Sequence, residues 1–241
     1  MRAISKSANI PPSLARLTPP ASAKDIDSKL YKGRDVKAQL CADHFSKCVY
    51  CECRLNGDFG HIEHFRPKAG YSIPPGKQLM TPGYFWLAYD WSNLLLSCSK
   101  CNTVYKANHF ALQDESARDI PNKNISNECP LLINPSTENP QAYITFHEHI
   151  IVPKIIGGIE SVKGRYTIDL LQLNSRRELV EYRRKKWDEY KRWECIRTIA
   201  RELIRSGQDV DNGTALLDVA NNALAQMSDQ RLEYSAMFLE I

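Results

Sequence analysis

Cys48-Val-Tyr-Cys51 and Cys98-Ser-Lys-Cys101 enclose the stretch Gly60-His61-Ile62-Glu63-His64-Phe65-Arg66-Pro67-Lys68. Each CxxC pair sets two thiolates on one tight turn, and two such turns complete the closed tetrahedral site that structural zinc prefers. The 46 residues from 52 to 97 exceed the spacing of a compact zinc ribbon, so a folded module sits between the knuckles. A redox CxxC needs one pair in a βαβ setting and leaves the second pair unexplained. Cys53 is an alternative ligand to Cys51, against which the CxxC spacing argues. Cys41, Cys129 and Cys195 read as structural or incidental thiols. Zinc ligation of this kind supplies on the order of 10–16 kcal/mol of apparent folding free energy, so a chelator is expected to unfold the region.

His61, Glu63 and His64 place three metal- or proton-competent side chains in four positions, with Asn93, Asn102 and Lys106 downstream. Phosphodiester hydrolysis is the chemistry such a set suits. Histidine, with an ordinary pKa near about 6.5, can deprotonate water at neutral pH. Oxygen ligands such as the Glu63 carboxylate and the Asn102 amide suit Mg²⁺ or Mn²⁺, which offsets charge on the phosphate. On an ideal strand His61 and Glu63 share one face while His64 points to the other. Two working pairs therefore stay open: Glu63 with His64, or His61 with Glu63.

CVYCE, IEHFRPK, YDWSNLLLSC and CxxCN resemble the motifs of the HNH (His-Me finger, ββα-metal) endonucleases. The combination IEHFRPK…NLLLSCxxCN is similar to the branch found beside anti-phage ATPases, the Septu-type HNH subunits and their retron-associated relatives. ECPLLINP and YTIDLLQLN share that likeness, which is specific at 48–110 and looser afterwards. The resemblance implies an α+β fold, a zinc-stapled ββα-metal module with a mainly helical C-terminal region. It makes His64 the general base and Glu63 a ligand of a catalytic Mg²⁺ or Mn²⁺. Asn93 becomes the residue that tethers the loop and holds the base strand in register. Asn102 becomes the second metal ligand, where many relatives carry His. The activity implied is endonucleolytic cleavage of DNA by the effector of an anti-phage defence complex, with an ATPase subunit as partner. RNA as the substrate and a catalytically inactive zinc-stapled adaptor are the alternatives; the intact set Glu63, His64, Asn93 and Asn102 argues against the adaptor.

Arg66, Lys68 and Lys106 are candidate nucleic-acid contacts, with Lys100 behind them, although any one reads also as an ordinary surface charge. Lys106 ranks first because it lies one helical turn after Asn102. Tyr84, Phe85, Trp86, Tyr89 and Trp91 read as module core rather than as base-stacking platforms. His44 reads as a helix-surface residue, and His109, His147 and His149 as solvated. Arg183-Arg184-Lys185-Lys186-Trp187 reads as a solvated helix face, with binding to DNA or an acidic partner as the alternative.

With 241 residues and 43% hydrophobic content the chain can bury a sizeable core. No apolar run approaches a membrane span, and the first 20 residues lack the apolar core of a signal peptide, so a cytoplasmic protein is expected. The net charge of +4 is unevenly placed: residues 1–40 are basic and 208–241 are acidic. That pattern suits a phosphate-binding body and a protein-binding end. The expected organisation is a basic Pro-rich arm (1–40), a nuclease module (41–125), and a hairpin plus helices for partner docking (126–241). Within it, 1–24 reads as an extended strap, 34–46 as a helix and 66–84 as an inserted loop. Residues 144–155 read as a hairpin in which Pro153 marks an edge. A long helix starts near Ser175 with a Ser175–Glu178 capping box and stops at Gly207, and a further helix covers 212–226.

Overall fold

In the computed structural model, which describes residues 1–55, 60–73, 76 and 78–240, the centre of the chain is an antiparallel pair. Strand β1 (His61–His64) lies against β2 (Leu94–Ser97), with Glu63 opposite Leu95 and His64 opposite Leu94. Every residue of β2 is buried, which explains its apolar run Leu94–Leu96. Strand alternation then divides the interior in two. Leu95 enters one core with Phe65, Phe110, Leu132 and Ile133, while Leu94 and Leu96 enter another with Tyr31, Val36, Leu40 and Trp91.

The second core is built largely by the N-terminal residues. Helices α1 (Pro12–Ala15), α2 (Ser28–Tyr31) and α3 (Arg34–Asp43) contribute Leu14, Tyr31, Val36 and Leu40 to it. Helix α3 ends at Asp43, three residues before the expected limit, because Phe45 and Ser46 both take positive φ to turn the chain into the first knuckle. The expected extended strap is interrupted by α1 and by a 3-10 turn at Ala23–Asp25. Its first residues do run across the surface: Ile4 N–H donates to Pro135 O, and Lys6 Nζ donates to Leu94 O at 2.6 Å.

Residues 66–84 form the expected loop between β1 and β2, closed by pairing of Tyr71 with Met80; positions 74, 75 and 77 lie outside the described residues. Gly83 is required there, since a Cβ would come 2.4 Å from Pro67 O and 2.5 Å from Gly70 N. After β2 the chain enters a π-helical turn, Lys100–Lys106, closed by Ala107 N–H donating to Asn102 O at 2.8 Å. The order is strand, strand, short helix.

The remainder is a mixed helical and small-sheet region. Strands β3 (Ile144–His147) and β4 (Ile150–Pro153) form the expected hairpin, followed by a small ribbon, β5 (Ile155–Ile156) with β6 (Ile159–Glu160). Ser161 caps α4 (Val162–Leu170). Helix α5 (Arg177–Ser206) packs on α6 (Val210–Met227). The Ser175–Glu178 capping box does not form: Arg176 occupies the N-cap without a side-chain bond, and Glu178 pairs instead with Lys100 at 2.7 Å. Gly207 ends α5 at φ +69°, as its sequence position suggests. On α6 the buried Gly213, Ala220 and Met227 recur every seven residues, and a Cβ on Gly213 would come 2.9 Å from Ile204.

The acidic C-terminal segment returns to the first knuckle and buries Tyr234–Phe238. Lys47 Nζ donates to Leu232 O at 2.7 Å, and Arg54 N–H donates to Glu233 at 2.7 Å. No helix among the described residues is long and apolar enough to cross a membrane.

Candidate metal centre and adjoining cavity

Cys48, Cys51, Cys98 and Cys101 are all buried, and their sulfurs lie within 4.8 Å of one another. The Cys51–Cys98 separation of 3.8 Å matches the spacing of tetrahedral ligands held at about 2.3 Å from a zinc ion. The four residues therefore fit a structural Zn²⁺. Hydrogen bonding from the Cys101 thiol holds Cys98 down to about 4, so a thiolate is at hand at neutral pH. Arg176 brings its guanidinium to 3.1 Å from Cys101 Sγ, which offsets charge on the thiolates. No spacing in the sequence pointed to Arg176, because it reaches the cluster from the start of α5. Cys53 Sγ sits 3.4 Å from Cys51 Sγ but outside the set of four.

Next to this centre, β1 forms one side of a cavity of about 760 Å³. His61, Glu63, His64, Lys68 and Asn102 all line it, so the structure brings together four of the residues singled out in the sequence, with His61 beside them. Strand alternation is respected: Glu63 meets Lys106, whereas His64 meets Tyr31 and Ala88. Because the cavity follows the strand's length, residues from both faces reach it.

His64 is buried with Nε2 2.9 Å from Ala88 O. A carbonyl only accepts, so in the neutral ring Nε2 carries the hydrogen and Nδ1 keeps the lone pair. Tyr31 meets the ring edge-on, with centroids 4.6 Å apart and an 88° interplanar angle. Burial, together with the positive charges of Lys68, Lys106 and Lys32, pushes His64 down to about 3. The imidazole is thus neutral across the physiological range.

Glu63 is buried as well, and burial pushes its carboxyl above the usual range against the pull of Lys106. Lys106 Nζ lies 2.5 Å from Glu63 Oε1 and donates to His64 O at 3.0 Å. That ion pair leaves Oε1 without a well-directed hydrogen bond. Asn93 fastens the chain just beyond β1, accepting from Arg66 N–H at 2.8 Å and donating to Arg66 O at 3.1 Å and Leu87 O at 3.2 Å.

Of the candidate phosphate contacts, Lys68 alone lines the cavity. Lys106 is buried in its pair with Glu63, and Arg66 is buried against Glu128 and Tyr84. Spacing along a helix placed Lys106 near Asn102 but could not show that its ammonium turns inward. In the sequence only the basic charge of residues 1–40 pointed residues 31–37 toward phosphate, and Tyr31, Lys32, Arg34 and Lys37 do form part of the wall.

His44 is buried, contrary to the surface position expected of it, because the N-terminal strap covers the end of α3. Among the described residues neither ring nitrogen makes a well-directed hydrogen bond, the Leu96 backbone pulling only weakly on the group, and burial pushes it down to about 4. His109 is held by Ser72 at 2.8 Å. The aromatic run packs as core, with Tyr84, Phe85, Tyr89 and Trp91 buried and Trp86 partly so. Arg183 does not join a solvated face: it is buried and donates to Leu173 O at 2.6 Å.

A buried four-cysteine cluster that could hold a metal ion thus lies beside a cavity lined by charged side chains. Over 156 residues the chain is 40% identical to Septu protein PtuB of Bacillus mycoides (strain KBAB4), a match covering 64% of this chain and 52% of that protein. It is 30% identical over 147 residues to Septu protein PtuB of Bacillus thuringiensis, covering 60% and 43%. A stretch of 145 residues is also 31% identical to part of Septu protein PtuA of Bacillus mycoides (strain KBAB4), covering 60% of this chain and 20% of that one. The chain thus spans about half, or less, of the length of the curated relatives it matches. No protein-family model matches it.

Proposed function

We propose that the chain is a metal-dependent HNH endonuclease that hydrolyses phosphodiester bonds of DNA. In this reading it serves as the effector subunit of an anti-phage defence complex with a PtuA-like ATPase. The observation that carries the chemical part is His64: a neutral imidazole of fixed tautomer, lining the cavity that Glu63 and Asn102 also line. The likeness to Septu proteins PtuB and PtuA supports the defence setting.

His64 Nδ1 accepts a proton from the attacking water, while the Ala88 carbonyl stabilises the imidazolium through Nε2–H. A base held down to about 3 is weak in the free protein; an arriving phosphate, being anionic, raises its affinity for the proton. Lys68 faces the same space and balances phosphate charge. Asn93 keeps β1 and the following turn in register, so His64 does not drift. The donors Glu63 and Asn102 fit a hard cation, since a buried carboxylate oxygen without a well-directed hydrogen bond and an amide line one cavity. Mg²⁺ or Mn²⁺ held there supplies neutralisation of the phosphate and of the leaving oxygen. Glu63 would exchange part of its contact with Lys106 for that ion.

Plasmid cleavage in Mg²⁺, with and without the ATPase, tests the reading. His64→Ala is expected to abolish cutting and phage protection, while His61→Ala keeps both at reduced level. Full cleavage by His64→Ala would transfer the role of base to His61. No cleavage under any condition, with phage protection intact in His64→Ala cells, would favour the adaptor.

A further inference from the structure

We infer that residues 31–37 form the substrate-facing wall of the cavity, where Lys32 and Arg34 bind the phosphodiester backbone of the strand presented to His64. This inference rests on the nuclease reading above and names the part of the protein that recognises the substrate.

Position is the first support. Tyr31, Lys32, Arg34 and Lys37 line the same cavity as β1, although they lie well before the first knuckle in the chain. Tyr31 ties that wall to the candidate base through its edge-on contact with His64. Lys37 ties it to the start of β1 by donating to Gly60 O. The wall is therefore a fixed part of the site rather than a passing segment.

Charge is the second. Among the described lining residues the cations are Lys32, Arg34, Lys37 and Lys68, and the one carboxylate is Glu63, already paired with Lys106. Asp35, which could have cancelled its neighbours, is turned away: it accepts from Ser13 N–H at 2.8 Å and from Ser13 Oγ at 2.6 Å. The same bonds hold the turn at Gly33, where a Cβ would come 2.7 Å from Asp35 Oδ1 and Ser13 Oγ. Lys32 and Arg34 flank that turn and are exposed. Exposed cations such as Lys185 and Arg192 occur on α5 too, but none of those borders a cavity containing a candidate base. A phosphodiester backbone is the ligand whose repeating negative charge fits a cationic wall facing a hydrolytic base.

Binding can be read without cleavage. Fluorescence anisotropy with short fluorescein-labelled oligonucleotides, as single-stranded DNA, duplex DNA and single-stranded RNA, is measured in Ca²⁺ buffer without chelator. The double variant Lys32→Glu/Arg34→Glu is expected to bind the preferred form about tenfold more weakly, with a salt slope flatter by about 1.8 for a duplex or about 1.4 for a single strand. Lys32→Gln/Arg34→Gln shows a smaller loss in the same direction, and it supplies the measurement should the charge swap misfold. Zinc content and thermal unfolding report folding of both. The control Lys185→Glu/Arg192→Glu binds as the unaltered protein does. If the unaltered protein binds and the folded variants bind equally well with the same salt slope, the wall is overturned while the nuclease reading stands. If the unaltered protein binds none of the three forms, the nuclease reading fails and this inference fails with it.

Discussion

Asn93 grips Arg66 from both sides, accepting from its N–H at 2.8 Å and donating to its carbonyl at 3.1 Å. Both ends of this clamp are buried, and it joins the residue before β2 to the second residue after β1. Asn93→Ala leaves Arg66 N–H, Arg66 O and Leu87 O without that partner, which should cost about 2–4 kcal/mol. Urea denaturation checks the size. Zinc content should not change, because the clamp does not touch the cysteines.

Lys106 and Glu63 form a buried pair, and breaking such a pair leaves an uncompensated charge. Lys106→Met should destabilise the protein by about 3–5 kcal/mol. The double variant Lys106→Met/Glu63→Gln should lose less than the two single changes added together. Strict additivity in a double-mutant cycle would show that the two groups do not depend on each other.

The cysteine centre predicts a simple pattern of zinc content. Cys51→Ser should lose stoichiometric zinc, whereas Cys53→Ser should keep it, because Cys53 stands outside the four-sulfur set. Adding a chelator should abolish the cooperative thermal transition rather than merely lower activity, since zinc binding is coupled to folding. Metal analysis of the two serine variants separates the ligand from its neighbour.

His44 gives a pH signature. Its folded pKa, lowered by burial to about 4, lies below the ordinary value of about 6.5. Between those values the unfolded chain binds a proton that the folded chain refuses, so stability falls as pH is lowered through that window. His44→Leu gives up no well-directed hydrogen bond, only the weak contact with the Leu96 backbone. Its stability should therefore decline less than that of the unaltered protein between about pH 6.5 and 4. Parallel curves across that range would refute the assignment.

The sequence alone determined what depends on local spacing and residue chemistry. Two CxxC pairs specify four thiolates on two turns, and the structure brings those four sulfurs together. Gly207 specifies the end of α5. His64, Glu63 and Asn102 stood out as a set through the resemblance of their motifs to a known family, and the structure places all three along one cavity. Tertiary structure decided what depends on distant partners. It turned Lys106 inward onto Glu63, buried Arg66 against Glu128, and covered His44 with the strap. It also brought Arg176 to the sulfurs and residues 31–37 to the cavity. A charge carries no mark in sequence of whether it faces water or a buried counter-charge; that is fixed only when segments far apart in the chain pack together.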